Sequence, residues 1–235
     1  MAVAFDAAAS LDLTGTNAAT ATLAHTISGA NTFLMVYVTT TGNRTDDVSG
    51  VTWNGTALTR SQFQPWYRSG VNWTHDLWYL LAPETGSHNI VVTNSTDLRN
   101  AIVSMSFTGA ASNPGVQPNG SHKSGVGSYA SSFTHTASST IDDCLLVGGM
   151  TPEDARNDVV AASGTVIRAN AGQMQRAVTA DGVLASAGSD TLSVTSTQSA
   201  WGVVSFWVAP VEADPSAGNT AAINGIAIDN IAAVN

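Results

Sequence analysis

The histidines are the residues of this chain best suited to move a proton near neutral pH, because imidazole titrates there and can also bind a metal. His25 and His135 each precede a threonine at matching places in two similar stretches, and His75 alternates with Val71, Trp73, Leu77, Tyr79 and Leu81. A structural role in strand pairing accounts for His25 and His135, and a hydrogen-bonded core position accounts for His75. Acidic residues gather at Asp46-Asp47, at Asp142-Asp143, and at Glu153-Asp154 with Asp158. Calcium needs several oxygens converging from a loop, and none of these groups has the Asp-x-Asp-x-Asp-Gly spacing. Solvated loops are expected there, and no metal site is assigned. Glycoside hydrolysis would need two carboxylates held across a cleft, and the sequence nominates no such pair. The G-x-S-x-G elbow, the P-loop, G-x-G-x-x-G and H-E-x-x-H are all missing. A non-enzymatic protein with no catalytic residue and no cofactor is therefore expected.

Aromatic residues offer a different chemistry, since flat rings bind the apolar faces of sugars. Trp53, Trp66, Tyr67, Trp73 and Trp78 fall within 26 residues. Trp66 and Tyr67 follow Pro65 in a segment that reads as a loop, and Trp78 has the parity opposite to the inward face of its strand. These three are the candidate glycan platform. The alternative is that the rings cap the core or fill a protein interface, where Trp and Tyr are enriched.

The elements that must position these residues are strands. Short runs of β-branched and aromatic residues recur between Gly, Asn, Ser, Asp and Pro clusters, with no sustained helical period. Asn54-Gly55 marks a tight hairpin, because a type I′ turn needs positive φ at both central residues. Phe33–Val38 and Cys144–Val147 are apolar at every position, as strands covered on both faces are. The lone cysteine, Cys144, sits in the second of these runs and excludes an intrachain disulfide and a Cys-based zinc site.

The order of blocks repeats. Thr22–Val36 (TLAHTISGANTFLMV) is echoed by Ser132–Val147 (SFTHTASSTIDDCLLV), and Gly55–Thr59 by Gly164–Arg168. His88–Thr93 is then echoed by Asp190–Thr195, and Ala101–Phe107 by Trp201–Trp207. The expected fold is an all-β, antiparallel jelly-roll β-sandwich with internally duplicated halves over residues 1–211. A single sandwich is favoured over two tandem ones, because the second half lacks the hairpin and Trp-rich strand that would complete its own sheet. Residues 212–220 read as a linker, and 221–235 as an apolar C-terminal extension. In that extension Ile223, Ile226, Ile228, Ile231 and Val234 recur every two or three positions, the pattern of a docking segment.

Charge narrows the partners. The chain is 43% hydrophobic but 11% charged, with a net charge of −9 and a single lysine, Lys123. Nucleic acid is not an expected partner, since no basic surface is available to neutralise phosphates. No apolar run reaches the length of a membrane span, and no signal peptide opens the chain, so neither membrane insertion nor secretion is expected. Five Asn-x-Ser/Thr triplets follow from a composition rich in those residues.

Val51–Thr59 (VTWNGTALT), Leu77–Thr93 (LWYLLAPETGSHNIVVT) and Ala101–Ala110 (AIVSMSFTGA) together resemble the jelly-roll, concanavalin-like domains of bacteriophage structural proteins and large bacterial surface proteins. The resemblance runs from about Val3 to Val211 and carries no catalytic signature. The extension is similar to the INGV-type repeats that end many phage virion and fibre proteins, with INGI at Ile223–Ile226 and AAVN at Ala232–Asn235. The resemblance implies a virion location, as a capsid decoration or fibre protein. Its partners would then be neighbouring capsid or tail proteins, with a homo-oligomer expected. Glycan attachment through Trp66, Tyr67 and Trp78 is the alternative function.

Overall fold

A computed structural model of the chain describes residues 2–41, 47–68, 71–112, 121–124, 130–152, 158–172, 175–199 and 201–211. The first eight strands are β1 Ala4–Asp12, β2 Ala18–Ile27, β3 Phe33–Thr41, β4 Val48–Trp53, β5 Thr56–Ala57, β6 Thr59–Arg68, β7 Val71–Leu81 and β8 Gly86–Thr108. The second eight are β9 Ser121–Ser124, β10 Ala130–Ser139, β11 Leu145–Pro152, β12 Val160–Ala161, β13 Thr165–Ala171, β14 Gln175–Ala180, β15 Gly188–Ser199 and β16 Trp201–Val208. The protein is all-β, and every pairing among the described strands is antiparallel.

Strand β8 organises the first half. Its early part pairs with β2 and β4, and its late part with β1 and β3. The β6–β7 hairpin extends the β3 side. Because β8 runs unbroken from one layer to the other, eight strands form one nearly closed, barrel-like sheet. In the second half the same work is divided between two strands. β15 pairs with β10 and β12 in a three-stranded sheet, while β16 joins β13–β14–β11 and β9 in a five-stranded sheet. The Asn54-Gly55 turn is present, with φ of 46° and 83°.

Alternation along the outer strands shows which face is buried. In β2, Ala21, Leu23, His25 and Ile27 point inward between exposed Thr and Ala positions, and β10 does the same with Phe133, His135, Ala137 and Ser139. One face of each strand meets solvent, which the period of two requires. Strands β3 and β11 instead are buried almost throughout. Leu34, Val36 and Val38 of β3 join a core with Trp53, Ile90 and Val92 inside the first half. Phe33, Met35 and Tyr37 belong to a second core shared with Val147, Phe206 and other residues of the second half. The β6–β7–β3–β8–β1 part of the eight-stranded sheet therefore packs face to face with the five-stranded sheet, with the strands around β2 and β10 outside them.

This arrangement differs from the expected single sandwich with shared sheets. Each named strand pairs within its own half, and among the described residues the backbone pairing that crosses between halves is the isolated Ala110–Pro210 bridge. The hairpin judged missing from the second half is β13–β14, whose register runs from Thr165–Ala180 to Ala171–Gln175. It lacks the Trp-rich signature of β6–β7, which is why the sequence concealed it. Strand β7 is a second difference. Its even positions Thr74, Asp76 and Trp78 are as buried as His75 and Leu77, because the β2–β8–β4 layer covers that face too.

Candidate functional site

His25 projects from β2 across the first half to β8. Its Nε2 lies 3.1 Å from Ser106 Oγ and its Nδ1 3.0 Å from Ser104 Oγ. Ser106 donates its hydroxyl proton to Asp6 at 2.7 Å. A hydroxyl has one proton to give, so His25 Nε2–H donates to Ser106 and Nδ1 accepts from Ser104. A Ser-His-Asp triad needs the histidine between the hydroxyl and the carboxylate. Here Ser106 stands between them, its proton already committed to Asp6, and His25 cannot activate it. Burial raises the Asp6 carboxyl, but hydrogen bonds from Ser28 and Ser106 outweigh it and hold the group below its ordinary value. Burial lowers His25 to about 4 against the opposing pull of Asp6, so the ring is neutral near pH 7.

The second half repeats the contact, with His135 Nε2 at 2.8 Å from Ser205 Oγ. Both histidines thus bridge layers, a role different from the strand pairing expected of them. His75 occupies the face between halves. Its Nδ1 is 2.9 Å from the Tyr37 hydroxyl, which also lies 2.9 Å from Thr151 Oγ1. Thr151 is 3.1 Å from Thr39 Oγ1, and Gln175 Nε2 donates to Thr39 Oγ1 and to the Tyr37 carbonyl, each at 3.1 Å. Burial lowers His75 to about 3 and raises the Tyr37 hydroxyl. This polar seam joins residues more than a hundred positions apart, and no local pattern signalled it.

A groove of about 500 Å³ opens beside His25. Ala7, Ala8 and Ala9 of β1 line it on one side, and on the other Ala24 and Thr26 of β2 with the Ser87–Asn89 stretch of β8 that pairs with them. Thr26 and Ser87 hydroxyls bond to each other at 2.7 Å, and His88 Nε2 donates to the Thr85 carbonyl at 3.3 Å. The three-alanine run was the available sequence signal for this feature, since small side chains leave space beside a strand edge.

The proposed glycan platform is only partly visible. Trp66 and Tyr67 lie in β6, not in a loop, where they pair with Trp73 and Asn72; their side chains lie outside the described residues. Trp78 is 7% exposed and packs in the first-half core, with the Arg60 guanidinium 4.6 Å from its ring centre. It has no free face to offer a sugar. Arg60 also pairs with the buried Asp76 at 3.0 Å. Ile223, Ile226, Ile228, Ile231 and Val234 lie outside the described residues, as do Asp46, Glu153 and Asp154.

Asp142 and Asp158 hold local structure. Asp142 accepts the Ala187 N–H at 2.6 Å, and Asp158 accepts both the N–H and the hydroxyl of Thr197. Cys144 is buried, and burial raises its thiol. Among the described residues, no group of three or more His, Cys, Asp and Glu side chains converges on a common point.

No family model, curated protein or solved structure matches the chain. Its function has to be argued from the residues themselves.

Proposed function

We propose that this chain is a non-enzymatic structural protein of a tailed-phage virion, a capsid decoration or fibre-type component anchored by residues 221–235. One observation carries the proposal most directly: the side chains best suited to catalysis serve as ties between layers. His25, Ser104 and Ser106 fasten β2 to β8, His135 and Ser205 fasten β10 to β16, and Tyr37, His75, Thr151 and Gln175 fasten the two halves. A low-charge surface and the resemblance of the sequence blocks to virion proteins support the same reading. In it, residues 1–211 form the solvent-facing body, 212–220 the linker, and Ile223, Ile226, Ile228, Ile231 and Val234 the docking face.

The two halves are, in this proposal, duplicated jelly-roll-type units. Support comes from corresponding pairings: β2–β8–β4 against β10–β15–β12, and β6–β7–β3–β8–β1 against β13–β14–β11–β16–β9. Superposing the halves of an experimentally determined structure tests this. A mismatch of these paired strands would remove it.

The anchoring role is tested by deleting Ala221–Asn235 and measuring incorporation into particles together with thermal unfolding of the purified chain. Retained folding with lost incorporation is expected, whereas incorporation at full occupancy excludes the segment as the anchor. A glycan-binding function would now rest on Trp66 and Tyr67, because Trp78 is buried.

A further inference from the structure

We propose that the groove between β1 and β2 receives residues Ile223–Ile231 of a second copy of this chain, an inference that rests on the docking role proposed above for that segment. The groove suits an apolar extended peptide better than a polar ligand. Its hydroxyls and imidazoles are already engaged: Thr26 with Ser87, His25 with Ser104 and Ser106, and His88 with Thr85. Alanine methyls, strand backbone and the Asn89 carboxamide remain, the last able to bond an added backbone, and a volume of about 500 Å³ lies within the range of real binding clefts. Among the described strands, β8 is the one pairing partner of β1 and of β2, and strand addition is proposed along the β2 side of the groove, because β1 also lies against β13. Small side chains at Ala7–Ala9 and Ala24 let an added backbone approach and leave room for isoleucine side chains.

The position at which the described chain ends points to this occupant. The Val211 N–H donates to the Gly109 carbonyl at 2.8 Å, and the neighbouring Thr108 pairs with Ala4, three residues before Ala7. The linker thus departs near one end of the groove. At that end Asp6 accepts the Ser28 N–H at 3.0 Å, tying β1 to the loop after β2. In the proposal the segment comes from a neighbouring copy and enters away from this tie. Residues 212–222 span at most roughly 3.5 Å each, or roughly 38 Å, against a radius of gyration of roughly 18 Å for a compact chain of this length. The segment can therefore reach an adjacent molecule.

Two full-length variants separate the partners of this contact. Ala24→Arg places a charged side chain at an exposed groove position, and the double variant Ile226→Asp, Ile228→Asp disables the segment. In sedimentation velocity the wild-type chain is expected to self-associate, and each variant to weaken that association at least tenfold. Mixing the two variants should restore one contact and give a mixed complex, while Ala24→Ser should behave as wild type. A synthetic peptide covering Ile223–Asn235 should dissociate the wild-type oligomer, a readout independent of any variant's folding. A monomeric wild-type chain, a mixture that stays monomeric, or a peptide without effect overturns the inference. If Ala24→Arg abolishes self-association yet still incorporates into particles, Ile223–Ile231 reaches the virion through another protein. Failure of the tail deletion to affect incorporation would instead remove the anchoring role itself.

Discussion

The two faces of β3 are held by different physics. Leu34, Val36 and Val38 look into the first half and meet Trp53, Ile90, Val92 and Ile102 in an apolar core. Phe33, Met35 and Tyr37 look toward the second half, where Phe33 stacks on Phe206 with centroids 5.6 Å apart and Tyr37 enters the seam with His75 and Thr151. Apolar burial is non-directional and provides most of the cohesion on both faces. Hydrogen bonds demand a register, and on the second face they fix how one layer sits on the other. The halves are thus joined as a core is joined, with polar contacts selecting the alignment.

The largest effect on this comparison should come from removing a ring that spans the halves. Phe33→Ala is expected to cost about 3–5 kcal/mol, and chemical denaturation should show both halves losing stability in one transition. Separate transitions would mean that the halves are held more independently than the Phe33–Phe206 stack implies. Close approach between the layers gives a second break. A Cβ on Gly149 would lie 2.0 Å from the buried Tyr37 ring, whereas one on Gly50 would meet nothing within 4 Å. Gly149→Ala should destabilise by about 3 kcal/mol, toward the upper end for overpacking, and Gly50→Ala should stay within about 0.5 kcal/mol of wild type. Thermal unfolding of the pair checks the contrast.

Removing one seam hydroxyl sharpens the polar side of the comparison. Tyr37→Phe deprives His75 and Thr151 of a shared partner and should cost about 1–3 kcal/mol. The matching change on the apolar face, Val36→Ala, removes methyl groups only, and a double-mutant cycle should find coupling between Tyr37 and Thr151 but little between Val36 and Thr151.

Acid gives a reversible test. Burial holds His75 and His25 below their ordinary 6.5, at about 3 and about 4. Between those values and 6.5 the unfolded chain binds protons that the folded chain refuses. Their contribution is therefore whole above pH 6.5 and declines as pH falls, by about 1.4 kcal/mol per pH unit for each histidine. Denaturation midpoints from pH 7 to 5 should follow that slope, and His75→Gln should reduce it by one histidine's share. An unchanged slope would place the titrating group elsewhere.

Much of the fold was legible because period two and turn chemistry are local properties. Asn54-Gly55, the alternation of β2 and β10, and the apolar runs in β3 and β11 all carried their meaning within a few residues. The candidate site was far less legible. Trp78 follows the parity of an exposed face, yet a second layer covers that face, and parity along β7 cannot reveal how many layers lie above it. The groove depends on where β8 bends and on what its two ends bring together, and only the Ala7–Ala9 run hinted at it.

The amino-acid sequence by itself determined an all-β chain, its principal strand segments and the residues fit to be buried, because side-chain alternation and positive-φ turns act over neighbouring positions. Only tertiary packing sets that sheets form within each half, that five strands of the first-half sheet face the five-stranded sheet of the second, and that the Tyr37 hydroxyl bonds both to His75 and to a threonine at position 151. Those choices balance apolar area against hydrogen-bond satisfaction between residues distant along the chain, and no stretch of the sequence contains both sides of that balance.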